Sequence, residues 1–224
     1  MLYLRPMLAF GLLKLKEESI MFTGIVQGVA TVTSLTPADN FMTLQLEFPA
    51  DCCDNFQIGA SVGLNGTCLT ITSFEGNRAT FDAIQSTLEL TNLGELKVGS
   101  QVNFERAAKI GDEIGGHLMS GHICDRVAIT AIDRTETNCR VEFDRPNQWA
   151  PYLLDKGFVG LNGCSLTMTQ VTEERFSVWL IPETLERTLF GKAKVGDLIN
   201  LEIDPQTQAI VDTVERYLQE RGKN

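Results

Sequence analysis

Residues 61–72 read SVGLNGTCLTIT, and residues 158–169 repeat them as FVGLNGCSLTMT, with eight of the twelve positions identical. The same displacement of 97 positions aligns residues 87–105 with residues 184–202, where ten of nineteen positions are identical. A period of this length is the size of a small domain, whereas the repeats of solenoid proteins are much shorter. The sequence therefore predicts one small domain that occurs twice.

Each repeat carries the pattern of short strands. Apolar residues alternate over residues 42–48, as in a half-buried strand. Turn residues at 75–77 separate two such runs, and residues 173–174 hold the same place in the second repeat, so each repeat contains a hairpin. About six short strands per repeat would expose sheet edges unless the sheet closes on itself. The predicted fold is all-β, with two tandem antiparallel barrels.

A helical segment follows each hairpin. Residues 87–94 and 184–191 are each predicted to form one or two helical turns, and Gly94 and Gly191 can end these turns in the left-handed conformation.

The end of the chain has a different pattern. Asp204 and Pro205 are typical of a helix start, and Ile210, Val214 and Tyr217 then recur on one face, together with Leu218. We expect one amphipathic helix, whose apolar stripe packs either on its own barrel or against other copies of the chain.

The first twenty residues are apolar but are interrupted by Arg5, Lys14 and Lys16. The uncharged run between them is too short to span a bilayer, and the repeat begins only at Met21. We therefore expect an extension outside the fold or an upstream start codon. The predicted organisation is an extension over 1–20, a barrel over 21–108, a second barrel over 109–204 and an oligomerisation helix over 205–224.

Composition narrows the possible partners. Lysine and arginine total 19 against 29 acidic residues, and the net charge of −10 argues against nucleic acid or an anionic membrane as a partner. A small molecule is the expected ligand. Six cysteines occur without a CxxC pair, and only two histidines are present, which favours reduced thiols in the cytoplasm and no zinc.

The two repeats differ at one chemically informative position, where Cys68 in the first corresponds to Ser165 in the second. On a strand, Cys68 shares a face with Thr70, and Ser165 shares a face with Thr167. These positions either form a polar site or are small residues inside the barrel after the Asn-Gly turn. The pattern alone leaves both interpretations open.

Both histidines lie in the sequence GGHLMSGH, residues 115–122, which joins the repeats. A separation of five places His117 and His122 on opposite faces of a strand, which is wrong for a shared metal ion. Ser120 shares a face with His122, so His122 is a candidate acid or base near neutral pH. The alternative is a histidine that bonds to backbone at the junction.

Four motifs together resemble riboflavin synthase: MFTGIVQG at 21–28, TNLGELKVG at 91–99, GGHLMSGH at 115–122 and IPETLERT at 181–188. The resemblance implies six-stranded Greek-key barrels and a homotrimer that assembles through the C-terminal helix. It also implies the reaction, in which two molecules of 6,7-dimethyl-8-ribityllumazine dismutate by four-carbon transfer to riboflavin and 5-amino-6-ribitylamino-uracil. No metal and no cofactor are implied.

The resemblance further implies where the two substrate molecules bind. In the N-terminal barrel the substrate-binding residues are Gly24, Ile25, Val26, Cys68, Leu69, Thr70, Asp82, Ala83, Ile84, Gln85, Ser86 and Thr87. In the C-terminal barrel they are Gly121, His122, Ile123, Lys156, Ser165, Leu166, Thr167, Ile181, Pro182, Glu183, Thr184, Leu185 and Glu186. The implied catalytic residues are Ser165, Thr167, Cys68 and His122, with His122 handling a proton.

The chain departs from the family pattern at two places. Gln85 and Ser86 stand where many relatives carry an acidic residue before Thr87, and Asn162 stands where aspartate is frequent. These departures keep a second hypothesis open, a non-catalytic lumazine- or flavin-binding protein of the antenna type. A flavin reductase would need a nicotinamide domain, for which the chain has no room.

Overall fold

The computed structural model describes residues 21–221, so the predicted extension over residues 1–20 lies outside the described residues. Within them, the chain forms two closed six-stranded antiparallel barrels and a C-terminal helix, which confirms the predicted fold class.

The strands of the first barrel are β1 (Gly28–Pro37), β2 (Phe41–Glu47), β3 (Ser61–Leu64), β4 (Thr67–Glu75), β5 (Arg78–Ile84) and β6 (Gln101–Arg106). Those of the second are β7 (Asp125–Arg134), β8 (Cys139–Asp144), β9 (Phe158–Leu161), β10 (Cys164–Val171), β11 (Arg175–Leu180) and β12 (Leu198–Ile203). The helices are α1 (Gln85–Leu90), α2 (Pro182–Arg187) and α3 (Pro205–Arg221).

Both barrels have the same strand order. The first runs β1-β2-β5-β4-β3-β6, and the second has the equivalent order β7-β8-β11-β10-β9-β12. In the first barrel, hairpins connect β3, β4 and β5, and β5 then pairs with β2 from earlier in the chain. This arrangement is a Greek key, and the second barrel repeats it. Pairing of β1 with β6, and of β7 with β12, closes each sheet and leaves no free edge.

Each barrel has its own apolar core. Strand alternation sends Leu69 and Ile71 of β4 inward, and in the first barrel the Phe48 and Phe104 rings meet edge to face at 5.0 Å. Burial of side chains of this size stabilises the fold by roughly 1.5–3 kcal/mol each. The interior of each barrel is therefore filled with side chains, and any ligand must bind outside it.

The predicted helical turns are present, but the predicted role of their glycines is wrong. Gly94 and Gly191 do not adopt a positive φ angle. Instead, a Cβ atom at Gly94 would lie 2.2 Å from the carbonyl oxygen of Leu88, and one at Gly191 would lie 2.2 Å from that of Leu185. Glycine is required there because the backbone passes close to the preceding helix.

The two barrels meet at the Asn-Gly turns of the repeat. Asn65 and Asn162 have φ angles of 45° and 46°, and a Cβ atom at Gly66 would lie 2.7 Å from the backbone nitrogen of Gly163. Asparagine tolerates this left-handed conformation better than most residues, and only glycine permits the close approach.

Four buried amides connect the barrels across this contact. The side chain of Asn103 donates to the carbonyl oxygen of Asn162, and that of Asn200 donates to the carbonyl oxygen of Asn65, each at 2.9 Å. The side-chain oxygen of Asn162 accepts from the backbone of Asn200 at 2.9 Å. Because these buried polar groups are paired, they fix the relative placement of the two repeats. Asn162 therefore has a structural role at this contact.

The helix α3 leaves its apolar stripe exposed. Ile210, Val214, Tyr217 and Leu218 are between 51% and 65% exposed, so the stripe does not pack on its own barrel. The helix touches the second barrel mainly on another side, where the Tyr152 hydroxyl donates to the Asp212 carboxylate at 2.6 Å. Among the described residues, no helix has the length and hydropathy needed to cross a membrane.

Candidate functional site

The segment before the first barrel and the segment before the second barrel pair with each other, and this pairing lies between the two barrels. Phe22 and Met119 form an antiparallel bridge, and each backbone nitrogen donates to the other's carbonyl oxygen at 2.9 Å. Both side chains are buried, at 3% exposure each. The two residues lie 97 positions apart, so the bridge joins equivalent positions of the two repeats.

Beyond this bridge, each segment crosses to the opposite barrel. The backbone nitrogen of Ser165, in β10, donates to the carbonyl oxygen of Gly24 at 2.8 Å. In the equivalent contact, the nitrogen of Cys68, in β4, donates to the carbonyl oxygen of Gly121 at 2.9 Å. Cys68 of the first barrel therefore lies beside backbone of the second repeat, and Ser165 of the second barrel lies beside backbone of the first repeat.

This exchange corrects the grouping implied by the resemblance, which placed residues 24–26 with the first barrel and residues 121–123 with the second. Val26 packs in the core of the second barrel, and Ile123 lies near Gly66 of the first. Within one chain, residues 24–26 thus lie near Ser165, and residues 121–123 lie near Cys68.

The candidate site residues point away from the barrel interiors. In β10, Leu166 and Met168 are buried, whereas Ser165 is half-buried and Thr167 is exposed. Strand alternation therefore places the two hydroxyls together on the outer face. The same alternation holds for Cys68 and Thr70 in β4, so the interpretation of these positions as barrel-interior residues is wrong.

A histidine hydrogen-bonds to the serine of the second barrel. Nδ1 of His117 lies 2.6 Å from Oγ of Ser165, and the imidazole stacks on Phe158 with ring centroids 5.1 Å apart. His117 is only 6% exposed, and burial lowers the pKa of its imidazole, while the charge of Asp204 opposes that shift. A neutral imidazole bonded to a hydroxyl can pass a proton to or from a bound molecule.

The corresponding position in the first barrel has different chemistry. Cys68 is half-buried, and burial raises the pKa of its thiol, an effect that the hydroxyl of Ser61 partly opposes. The thiol is therefore neutral at physiological pH. The two repeats thus provide equivalent places with unequal side chains, an imidazole and hydroxyl in one and a thiol and hydroxyl in the other.

Sequence reasoning missed His117 and selected His122. The exposed His122 adjoins Gly121 and therefore lies at the first barrel, away from Ser165. The sequence carried one signal for His117, the pair of glycines that precedes it. The structure explains this pair, since a Cβ atom at Gly116 would lie 2.6 Å from Cβ of Ser165. The spacing of five that separates the histidines directs them to two different sites.

The remaining predicted residues lie at the ends of strands near these positions. The segment over residues 82–87 covers the end of β5, the neighbour of β4, and the segment over residues 181–186 follows β11; the two segments are equivalent over residues 84–87 and 181–184. Ile84 and Ile181 hold matching positions of the two repeats and are 59% and 57% exposed.

The contacts of Asp82, Glu183 and Lys156 differ from one another. Asp82 accepts a hydrogen bond from the Thr43 hydroxyl at 2.6 Å, and Glu183 forms an ion pair with Arg187. Lys156 is exposed, has a φ angle of 65° and donates its backbone N–H to Met168. The carboxylates of Asp82 and Glu183 are thus held by neighbouring side chains, whereas the side chain of Lys156 is exposed.

Comparison with known proteins agrees with the duplication. The Lumazine binding domain family matches residues 23–107 and again residues 120–204. Riboflavin synthase of Escherichia coli (strain K12) is 54% identical over 202 residues, which cover 90% of this chain and 95% of that protein. Riboflavin synthase of Chlamydia pneumoniae is 41% identical over 204 residues, which cover 91% of this chain and 100% of that protein.

Solved structures give the same result for the fold. LumP complexed with riboflavin superimposes with a TM-score of 0.75 at 26% identity, covering 81% of this chain and 98% of that one. LumP complexed with 6,7-dimethyl-8-(1'-D-ribityl) lumazine superimposes with a TM-score of 0.74 at 24% identity over the same shares.

Proposed function

The chain belongs to the riboflavin synthase family, and from this premise we propose that each of its two barrels binds one molecule of 6,7-dimethyl-8-ribityllumazine at the outer face described above. The reaction is the dismutation of the two molecules by four-carbon transfer, which gives riboflavin and 5-amino-6-ribitylamino-uracil. The observation that carries the proposal is the pair of equivalent sites, Ser165 beside Gly24 and Cys68 beside Gly121. Because donor and acceptor are the same compound, a duplicated binding domain suits this reaction.

In one chain the two sites do not share a cavity at the Phe22–Met119 bridge. Between them lies the bridge of Phe22 and Met119, and the cavity that these residues line has a volume of about 10 Å³. That volume holds about one water molecule and no pteridine ring. We therefore propose that the first barrel of one subunit faces the second barrel of a neighbour, and that the two bound rings react across that interface.

The exposed stripe of α3 supports an assembly of this kind. Four apolar side chains on one helix face are uncovered in the single chain, and burial of such a stripe between copies is favourable. We propose a homotrimer that assembles through residues 205–224, with substrate-binding domains over residues 21–108 and 109–204.

The proposed catalytic residues have unequal roles. At the second-barrel ring, Ser165 and the neutral His117 move the proton of the acidic 7-methyl group, and Thr167 orients the ring. At the first-barrel ring, Cys68 donates a hydrogen bond. His122 follows Gly121, whose carbonyl oxygen contacts Cys68, and from there it handles a second proton. We thus add His117 to the catalytic set expected from the sequence, because its ring contacts Ser165 directly.

Positioning supplies most of the rate enhancement in this proposal. The anion formed from the 7-methyl group is delocalised over the ring, so modest acid and base assistance is sufficient. Two rings held in contact avoid the entropy cost of a bimolecular encounter, an effect that contributes on the order of 7–11 kcal/mol. The substrate-binding residues expected from the sequence, regrouped by the exchange of residues 24–26 and 121–123, supply that positioning.

We also propose a cytoplasmic location, which the six free cysteines support because such thiols persist in a reducing compartment. The lumazine is the expected partner, with neither nucleic acid nor membrane.

Incubation of the purified protein with 6,7-dimethyl-8-ribityllumazine tests the activity directly. We expect riboflavin absorbance to rise and the uracil product to appear in equal amount. Tight binding of the lumazine without any riboflavin would instead identify a non-catalytic carrier, the second hypothesis.

A further inference from the structure

Two buried carboxylates have no part in the chemistry proposed above. Glu105 in β6 and Glu202 in β12 occupy equivalent positions of the two repeats and are 5% and 1% exposed. Neither forms an ion pair within the described residues. Burial raises the pKa of both carboxyl groups, and hydrogen bonds from backbone and hydroxyl donors oppose that shift. A carboxyl group is costly to bury, so its retention at both places suggests a role.

Each carboxylate binds the segment that precedes a barrel. Glu105 Oε1 accepts from the backbone nitrogen and the hydroxyl of Thr23, both at 2.7 Å, and its Oε2 accepts from the nitrogen of Gly24 at 3.0 Å. Glu202 Oε1 accepts from the nitrogen and hydroxyl of Ser120 at 2.7 and 2.9 Å, and from the nitrogen of Gly121 at 3.1 Å.

The consequence lies in where those segments lead. Gly24, held by Glu105 of the first barrel, accepts the Ser165 N–H of the second-barrel site. Gly121, held by Glu202 of the second barrel, accepts the Cys68 N–H of the first-barrel site. Each glutamate is thus two hydrogen bonds away from the site of the other barrel.

We propose that Glu105 and Glu202 are positioning residues that act in a crossed manner, Glu105 on the second-barrel ring site and Glu202 on the first-barrel ring site. This inference rests on the proposed function for the identity of the two sites, but its geometric part can be tested without ligand. It assigns each residue an effect in the barrel to which it does not belong.

The two carboxylates differ in a way that provides matched variants. Both oxygens of Glu105 accept hydrogen bonds, whereas Oε2 of Glu202 is buried without a partner in the described part of the chain. In Glu105→Gln, an NH2 group replaces one accepting oxygen and faces an N–H donor, so a hydrogen bond is lost. In Glu202→Gln, the NH2 group can replace Oε2, which accepts no hydrogen bond, and the accepting oxygen stays in place. Glu202→Leu removes every acceptor, and Ser120→Ala removes one donor and keeps the buried carboxylate.

The first experiment follows backbone amide exchange in the full chain without ligand. We expect Glu105→Gln to accelerate exchange at Ser165 at least about tenfold and to leave Cys68 within about twofold, because loss of a hydrogen bond to a charged group is of that size. We expect Glu202→Leu to do the reverse and Glu202→Gln to have a smaller effect. If Glu202→Leu does not fold, Ser120→Ala gives the same pattern at lower amplitude.

The second experiment measures riboflavin affinity in two backgrounds, Thr70→Tyr to obstruct the first-barrel site and Thr167→Tyr to obstruct the second. In the Thr70→Tyr background only the second-barrel site remains open, and there we expect Glu105→Gln to weaken riboflavin binding by at least about tenfold. In the Thr167→Tyr background we expect Glu105→Gln to leave riboflavin binding unchanged. The control Glu75→Gln, at an exposed residue, should change the affinity in neither background. Effects confined to each glutamate's own barrel, or equal effects on both, would overturn the inference. If riboflavin binds in neither background, the proposed function fails, and amide exchange still decides the crossed positioning.

Discussion

Replacement of Ser165 by alanine removes the hydroxyl that lies 2.6 Å from Nδ1 of His117. Since Nε2 of this buried ring has no partner among the described residues, the variant leaves the imidazole without a side-chain hydrogen bond. An unsatisfied buried polar group costs about 1–3 kcal/mol, and each kcal/mol lowers Tm by about 2–4 °C in a protein of this size. Loss of acid and base assistance should lower kcat about 100-fold or more.

The assay is riboflavin formation from the lumazine under saturating conditions, with Tm measured by calorimetry on the same samples. Cys68→Ala is the comparison, and we expect it to lower kcat less than about tenfold because the neutral thiol contributes one weak hydrogen bond. The exchanges Ser165→Cys and Cys68→Ser are matched controls, and we expect only the first to be severely impaired. Equal losses for Ser165→Ala and Cys68→Ala would refute the unequal roles of the two sites.

Three further predictions concern assembly, pH and backbone contact. A chain cut after Asp204, which lacks α3, should be a monomer by light scattering that binds riboflavin and has little activity; full activity in a proven monomer would contradict the intersubunit site. Because burial lowers the pKa of His117, the unfolded chain binds a proton below about pH 6.5 that the folded chain does not, so stability should fall as pH drops below that value. Thermal unfolding between neutral and acidic pH measures this loss, and His117→Gln should reduce it, whereas an unchanged slope would exclude His117 as its source. Gly191→Ala should destabilise the chain by about 1–3 kcal/mol, since the new methyl group meets the Leu185 carbonyl oxygen, and an unaltered Tm would show that the turn can relax.

The fold was predictable because its information is local and appears twice. The alternation of apolar residues over β2 predicts a strand, and the turn residues after β4 and after β10 predict a hairpin in each repeat. A second copy at a constant displacement then confirms each assignment. For the same reason, strand geometry placed Thr70 on one face with Cys68, and Thr167 on one face with Ser165. Only the burial of the residues between them shows that this face points outward.

The arrangement of the sites was less predictable because it depends on contacts between distant parts of the chain. The crossing of Gly24 to Ser165, and of Gly121 to Cys68, is symmetric, so a sequence repeat fits the exchanged and the unexchanged arrangement equally well. His117 was overlooked because its partner Ser165 lies far along the chain. Periodicity reports the face of a strand and gives no information on which distant strand lies opposite.

The central claim, that an active site combines the first barrel of one subunit with the second barrel of its neighbour, can be tested with mixed oligomers. Thr70→Tyr chains keep an intact second-barrel site, and Ser165→Ala chains keep an intact first-barrel site. When the two inactive variants are refolded together in equal amounts, random assembly should place two intact halves at about a quarter of the interfaces. We predict riboflavin formation near that fraction of the unmodified rate. A mixture no more active than the two variants measured separately would contradict the account.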